Sequence, residues 1–321
     1  MPSHFGRRRR AQARRRQVKR RRLGALGVAG AAAFAFGAAL GAGRESGLDE
    51  GTGGRPPSVR QELPRGGDDL LPGHTLVGFY GAPQDEELGA LGVGSPAEAS
   101  ERLSAQARAY EGPRPVLPVL ELLASIAASD AGDEGNHRLL QPHPVIERYL
   151  AEARRQRGLL LLDIQPGRAD FSDELERLDR WLREPDVGLA LDPEWHVGPT
   201  EIPGQVIGSV DAQTVNDVAA HLSRIVERHR LPEKLLVIHQ FTRDMISARP
   251  RLRDEPGVAI VLNSDGFGDP PNKVAKYNAL RPDSDTPFFP GFKLFYEEDV
   301  DLMTPEEVLD LRPPPRLIVY E

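Results

Sequence analysis

An Asp-Pro-Glu sequence at the end of one apolar run brings two carboxyl groups close together. The run is VGLALDPEWHV over residues 187–197, and side chains alternate between the two faces of a β-strand. The residues predicted on one face are Gly188, Ala190, Asp192, Glu194 and His196. Because two close carboxylates repel, one tends to keep its proton near neutral pH while the other stays ionised. Cleavage of a glycosidic bond uses such an acid and such an ionised partner, so Asp192 and Glu194 are the predicted catalytic residues.

Other apolar runs also end in polar or aromatic side chains, and these are predicted to contact a substrate. They are Tyr80, Glu121, Asp163, Gln165, Trp195, His239, Gln240, Asn263, Asp265 and Tyr296. Tyr80 and Trp195 offer apolar ring faces that a sugar could pack against. Strands that leave a core often end in solvated residues, which accounts for about half of this set.

The elements that must position these residues are apolar runs separated by segments with helical periodicity. The runs predicted as strands are Leu76–Tyr80, Val116–Glu121, Leu159–Ile164, Gly188–Asp192, Leu235–Gln240, Val258–Asn263, Phe292–Tyr296 and Leu317–Tyr320. The segments predicted as helices begin near Pro96, His143, Ser172, Gln213, Pro271 and Thr304. Alternating strands and helices favour a parallel sheet covered by helices.

Eight such strands predict an α/β fold of the (β/α)8 TIM-barrel type over residues 74–321, since these barrels have about 250 residues. A doubly wound open sheet is the main alternative, but no Gly-rich phosphate loop follows the first strand. Gln205–Asp211 resembles a strand, yet it follows the fourth strand too closely for a crossover helix, so we assign it to a long loop above the barrel. In a barrel the active site lies at the carboxyl ends of the strands.

The N-terminal region has the pattern of an export signal. Residues 1–45 carry 12 Lys and Arg residues and one acid, which leaves 29 bases and 47 acids in residues 46–321. Residues 1–22 are predicted as a basic cytoplasmic region, and the uncharged residues 23–43 as a signal or transmembrane helix. Residues 44–73 are predicted as a flexible linker. The body would then lie outside the cytoplasm, either secreted or anchored by this segment.

Composition excludes several classes of function. An acidic body repels nucleic acid, whose phosphates need clustered Lys and Arg. The chain has no cysteine, which excludes a disulfide scaffold and a thiol nucleophile. Asp163, Asp192, Glu194, His196 and His239 are of metal-ligand types, but no paired-histidine spacing is present, so no metal and no cofactor are predicted.

The sequence GLALDPEWHV resembles the Asp-x-Glu strand end of two barrel-fold glycosidase groups, the chitinase-type enzymes and the barrel-type lysozymes. The resemblance covers the strand order and this one motif. It implies that Glu194 is the acid and that Asp192 orients an acetamido group of the substrate. The sequence departs from the chitinase-type pattern at Ala190, where that group has a further aspartate, and at Pro193, where it has a tryptophan. More broadly, the chain resembles exported bacterial barrel proteins of unassigned function.

We therefore predict an exported barrel that hydrolyses or binds a cell-envelope or extracellular polysaccharide, with Glu194 as general acid and Asp192 as its partner. Two alternatives remain open. One is a non-catalytic barrel that binds a glycan or an envelope protein. The other is a metal-dependent hydrolase.

Overall fold

The computed structural model describes residues 61–321. The predicted cytoplasmic region, the predicted signal or transmembrane helix and most of the predicted linker lie outside these residues. Among the helices of residues 61–321, none combines the length and the apolar character needed to cross a bilayer.

The core of the fold is a closed barrel of eight parallel strands, as the sequence predicts. The strands of the barrel are β1 (Thr75–Gly81), β2 (Val116–Ala127), β4 (Leu159–Ile164), β5 (Val187–Leu191), β7 (Lys234–Gln240), β9 (Val258–Ser264), β10 (Phe289–Leu294) and β11 (Leu317–Tyr320). The barrel closes because β1 pairs in parallel with both β2 and β11. The carboxyl ends of all eight strands therefore meet at one end of the barrel, which we call the mouth.

Helices cover most of the barrel's outer face. They are α1 (Pro96–Arg108), α2 (His143–Arg155), α3 (Phe171–Leu182), α4 (Ala212–His229), α5 (Pro270–Leu280) and the short α6 (Pro305–Leu309). Each of the six helices predicted within residues 61–321 is present. The connection from β7 to β9 contains only short 3-10 turns and a two-residue strand, β8 (Ile246–Ser247). The alternation of strand and helix is thus incomplete, although the barrel is closed.

Side-chain alternation divides the apolar residues into two clusters. Leu189 and Leu191 lie in the cluster between the strands and the helices. Ala190 lies in the cluster inside the barrel, as predicted for a small residue on the inward face of β5. The interior cluster fills the lower half of the barrel, and the upper half is polar.

The linker was predicted to end at residue 73, but its last residues belong to the folded barrel. Leu63, Leu70 and Leu71 are buried and pack with the residues inside the barrel. Glu233, which precedes β7, accepts hydrogen bonds from the backbone N–H groups of Leu70 and Leu71 at 2.7 and 2.9 Å. This segment closes the end of the barrel opposite the mouth. It lacks an apolar period because isolated leucines, rather than a regular element, make the contacts.

Two strands differ in extent from their predictions. β2 continues past Glu121 to Ala127 and pairs antiparallel with β3 (Arg138–Leu140), so that Glu121 lies in mid-strand. β10 begins at Phe289 and ends at Leu294, before Tyr296. Pro290 and Gly291 have low strand propensity but lie within the strand.

The segment Gln205–Asp211 is a loop that ends in the two-residue strand β6 (Val210–Asp211), which pairs with β8.

Candidate active site

The upper half of the barrel interior is lined by one polar side chain from, or directly after, each of the eight strands. These residues are Tyr80, Glu121, Asp163, Asp192, His239, Asn263, Lys293 and Glu321. Each lies two residues beyond a small or apolar inward-facing position of its own strand. The alternation that fills the lower half with apolar groups thus gathers these polar groups at the mouth.

Asp192 follows β5 and points into this polar layer. Its Oδ2 accepts a hydrogen bond from the Tyr80 hydroxyl at 3.3 Å and one from Gln165 Nε2 at 3.4 Å. Gln165 also donates to the Tyr80 hydroxyl at 2.8 Å, and its Oε1 accepts from the Ala127 N–H at 3.0 Å. Tyr80, Gln165 and Asp192 are therefore brought together as predicted, and β2 fixes Gln165.

Glu194 lies in a 3-10 turn, Pro193–Trp195, rather than on an extension of β5. The Gly208 N–H donates to the Glu194 carbonyl oxygen at 2.7 Å, which ties the turn to the loop before β6. A Cβ at position 208 would lie 2.1 Å from the His196 carbonyl oxygen, so only glycine permits this close approach. Glu194 is partly exposed, and no described residue donates a hydrogen bond to its carboxyl group.

The two predicted catalytic carboxyl groups differ in pKa. Burial raises the pKa of Glu194 to about 8, and the negative charges of Asp192 and Asp265 add to the effect. Burial also raises the pKa of Asp192, to about 6, although the positive charges of His239 and Lys293 oppose it. Between these values Glu194 is protonated while Asp192 is ionised, which is the pairing that an acid and its charged partner need.

His239 connects the acids on opposite sides of the barrel. Its Nδ1 lies 3.0 Å from Asp265 Oδ2, and its Nε2 lies 2.8 Å from Glu121 Oε1 and 3.4 Å from Asp163 Oδ2. Asn263 Nδ2 donates to Asp265 Oδ1 at 2.6 Å. Burial alone would lower the pKa of His239, but Asp265 and Glu121 outweigh it and raise that pKa well above its ordinary value.

Two charged residues of the polar layer, Lys293 and Glu321, were not predicted from the sequence. Lys293 Nζ lies 2.9 Å from Glu321 Oε2, 3.6 Å from Asp265 Oδ2 and 3.5 Å from the centre of the Tyr80 ring. A lysine between Phe292 and Leu294 in an apolar run is the signal that could have identified it. A Cβ at position 291 would lie 2.3 Å from Asn263 Oδ1, so Gly291 leaves the room that Asn263 needs.

Three residues that the sequence places near the site lie outside the barrel interior: His196, predicted only to share the inward face of Asp192 and Glu194, and Gln240 and Tyr296, predicted to contact a substrate. The His196 ring packs on Phe171 at 5.2 Å, and its Nδ1 lies 2.9 Å from the Ser209 carbonyl oxygen, because the 3-10 turn ends the alternation of β5. Gln240 donates to the Leu280 carbonyl oxygen of α5 at 3.0 Å, since it alternates with the inward-facing His239.

Tyr296 is the third such residue. It stacks on Tyr320 with the ring centres 5.1 Å apart, beyond the end of β10, and its hydroxyl donates to Gln106 of α1. Tyr296 therefore belongs to the outer face of the barrel. Trp195 is half-buried in the same turn as Glu194.

The mouth is narrow. Glu121, Asp163 and Asn263 are 0% exposed, whereas Asp192 and Asp265 are 6% and 8% exposed. Glu194 is the most exposed acid of this group. An open groove lies beside the mouth and is lined by Arg168, Asp170, His196, Glu201 and Ile207, among others.

No family model matches the chain, and the search of curated proteins found no similar sequence. Among solved structures, the chain is similar to the crystal structure of the Clostridial cellulose synthase subunit Z from Clostridioides difficile. The two share 9% sequence identity with a TM-score of 0.34, over 69% of this chain and 83% of the other. At this level of similarity neither a fold nor a function can be transferred from one protein to the other.

Proposed function

We propose that the chain is a glycoside hydrolase that acts on a cell-envelope or extracellular polysaccharide, with Glu194 as the general acid. The observation that carries the proposal is the position of Glu194 directly after Asp192 and Pro193, which places two carboxyl groups at the mouth of a closed barrel. Burial raises the pKa of Glu194 to about 8. A group with this pKa is protonated at neutral pH and can donate its proton. Asp192, with a pKa of about 6, supplies the adjacent negative charge.

The reaction follows from the protonated state of Glu194 and the ionised state of Asp192. Glu194 transfers its proton to the glycosidic oxygen as the bond from that oxygen to the anomeric carbon breaks, and the bond's electron pair stays on the leaving oxygen. The Asp192 carboxylate stabilises the positive charge that develops on the sugar. Water then adds to the anomeric carbon and gives up a proton, which restores the acid form of the site. Tyr80 and Gln165 hold the Asp192 carboxylate in place through hydrogen bonds.

The substrate class depends on the predicted export of the chain and on the groups near Glu194. Trp195 lies in the same turn and is half-buried, so one face of the indole is a candidate platform for a sugar ring. Export would place the barrel among cell-envelope and extracellular polysaccharides.

A second candidate is a barrel that binds a glycan or an envelope protein without hydrolysing it. The closed mouth favours this candidate, because Glu121 and Asp163 are 0% exposed and their carboxylates do not reach a ligand in the described conformation. Only Glu194 and the adjacent loops would then contact the ligand.

The deciding experiment compares hydrolysis by the purified full chain with that by Glu194→Gln and by a control, Glu227→Gln. Glu227 is an exposed acid in the last turn of α4, at the end of the barrel opposite the mouth. Cell-wall and chitin-type oligosaccharides serve as substrates, and released reducing ends are measured. Loss of general acid catalysis should lower the rate about 10²- to 10⁴-fold in Glu194→Gln. Glu227→Gln should retain the wild-type rate.

The outcomes separate the two candidates. Equal rates in the wild type and Glu194→Gln would exclude Glu194 as the acid. Saturable binding of these oligosaccharides without release of reducing ends would favour the binding barrel. In a hydrolase the rate should also fall above pH about 8, as Glu194 loses its proton, and below pH about 6, as Asp192 gains one.

A further inference from the structure

A second constellation lies deeper in the polar layer than Glu194. Glu121 from β2, Asp163 from β4 and His239 from β7 each offer one ligand atom, and these atoms lie within 4.8 Å of one another. All three side chains are fully buried, with exposures of 0%, 0% and 1%. Carboxylate and imidazole groups are common ligands of divalent metal ions.

Three of the four carboxylate oxygens of this cluster lack a hydrogen-bond partner among the described residues. Among residues 61–321, none donates a hydrogen bond to either oxygen of Asp163 or to Oε2 of Glu121. A buried carboxylate without a donor loses its hydration with no compensation, which is unfavourable. A cation bound to these oxygens would replace the hydration that the carboxylates lose on burial.

The orientation of His239 is fixed by groups on the other side of its ring. Its Nδ1 faces Asp265 Oδ2 at 3.0 Å, and Asn263 holds Asp265 in place at 2.6 Å. A carboxylate on one ring nitrogen that leaves the other nitrogen for a metal ion is the usual arrangement around metal-ligating histidines. Nε2 is thus presented toward Glu121 and Asp163.

The spacing of the ligand atoms fits the first coordination sphere of a metal ion. Ligand atoms at about 2.0 to 2.1 Å from a tetrahedral ion lie about 3.3 Å from each other. Nε2 of His239 lies 2.8 Å from Glu121 Oε1 and 3.4 Å from Asp163 Oδ2. Small movements of these side chains would bring them to ligand distances.

The charge balance of the interior also favours a cation. Glu121, Asp163, Asp192 and Asp265 are buried acids, whereas the buried bases of the polar layer are His239 and Lys293. Lys293 also forms an ion pair with Glu321, with Nζ 2.9 Å from Oε2. Acidic side chains therefore outnumber basic ones in a region of low dielectric, where a bound cation would compensate the charge of ionised carboxylates.

We propose that Glu121, Asp163 and His239 bind a divalent transition metal ion, Zn²⁺ or Mn²⁺, and that Asp265 orients His239 for this role. Three protein ligands leave a coordination position for a water molecule. Glu194 is not part of this set. The inference therefore stands apart from the proposed hydrolase activity, and its test does not require turnover.

The first measurement is metal content. The full chain is stripped with a chelator, incubated with Zn²⁺ or Mn²⁺, dialysed and analysed by elemental mass spectrometry. Long incubation and refolding in the presence of the ion allow for the burial of the ligands. We expect one ion per chain, together with a higher melting temperature than that of the stripped protein, because an ion that binds only the folded state stabilises it. Mg²⁺ and Ca²⁺, which prefer oxygen ligands, should bind more weakly.

Variants test which residues hold the ion. Asp163→Asn and His239→Gln should abolish stoichiometric binding, and Asp265→Asn should weaken the affinity about 10- to 100-fold, as is typical for a group that orients a ligand. Glu194→Gln is the matched control, since it neutralises another acid of the mouth but leaves the three ligands intact. Its metal content and melting shift should equal those of the wild type.

A wild-type chain that retains no Zn²⁺ or Mn²⁺ after either treatment would overturn the proposal without reference to any variant. Metal retained by folded Asp163→Asn at the wild-type level, or lost in Glu194→Gln, would overturn it as well. Circular dichroism of each stripped variant shows whether it is folded.

Discussion

At the scale of single residues, Glu194 differs from its acidic neighbours in both position and surroundings. Asp192 accepts hydrogen bonds from Tyr80 and Gln165, and Asp265 faces His239 and Lys293. Burial would raise the pKa of Asp265, but the charges of His239 and Lys293 lower it. Burial raises the pKa of Glu194 and no such partner among the described residues opposes it, so Glu194 keeps its proton to a higher pH than Asp192 or Asp265.

The raised pKa of Glu194 predicts a pH-dependent stability difference between the wild type and Glu194→Gln. Its ordinary pKa of 4.5 rises to about 8 on folding. As pH increases from 4.5 to about 8, the unfolded chain ionises Glu194 before the folded chain does, so the wild type loses stability over this range. The glutamine side chain of Glu194→Gln cannot ionise, so the variant avoids this loss.

Melting temperatures of the two proteins, measured every half unit between about pH 4.5 and 8.5, check this prediction. The advantage of Glu194→Gln should be smallest at the acid end and grow until about pH 8. A difference that stays constant with pH would show that the pKa of Glu194 is not raised on folding.

The sequence predicted part of this residue-scale arrangement, and the limits have physical causes. Asp192 was placed on the inward face correctly because alternation holds through Leu191. His196 was placed wrongly, since Pro193 begins a 3-10 turn that ends the alternation. Lys293 was missed because a buried lysine is stable only beside acids such as Glu321 and Asp265, which are distant or unrecognised in the sequence.

At the scale of elements, apolar periodicity identified all eight barrel strands and located the six α-helices of residues 61–321, because burial against a sheet imposes that periodicity. The ends were less predictable. Tyr296 was assigned to a strand end, but β10 stops at Leu294, and Tyr296 packs on Tyr320 instead. The start of β10 contains Pro290 and Gly291, whose low strand propensity is overridden by pairing with β9.

The segment that closes the lower end of the barrel gives a prediction at this scale. Leu70 is 0% exposed and packs among the residues inside the barrel. Leu70→Ala should lower the free energy of unfolding by about 2 to 5 kcal/mol, since it removes apolar contacts and leaves a cavity. Urea denaturation followed by circular dichroism measures this change.

The control for Leu70→Ala is Ile207→Ala, at a residue that is 60% exposed. It should change the free energy of unfolding by less than about 0.5 kcal/mol. If Leu70→Ala were as mild, the segment before β1 would not be part of the folded core, and the predicted linker over residues 44–73 would be correct after all.

At the scale of the whole molecule, the N-terminal sequence predicts that the barrel is exported. We expect the full chain to be recovered outside the cytoplasm or in the membrane fraction. Deletion of residues 23–43 should retain the protein in the cytoplasm, because the uncharged run that would enter the membrane is then absent.

Cell fractionation with an antibody against the barrel measures the distribution. Deletion of residues 46–58, which keeps the basic and uncharged regions, is the matched control and should be exported like the wild type. Equal export with and without residues 23–43 would show that this run is not a signal.

The segment before β1 also places one end of the described chain relative to the candidate site. Gln61 N–H donates to the carbonyl oxygen of Arg230, just after α4, at 3.4 Å, and Pro64 accepts from Arg157, just before β4, at 3.0 Å. Gln61 therefore lies at the end of the barrel opposite the mouth. A membrane tether joined to Gln61 would leave Glu194 and the groove beside it uncovered, so that long polymers could reach them.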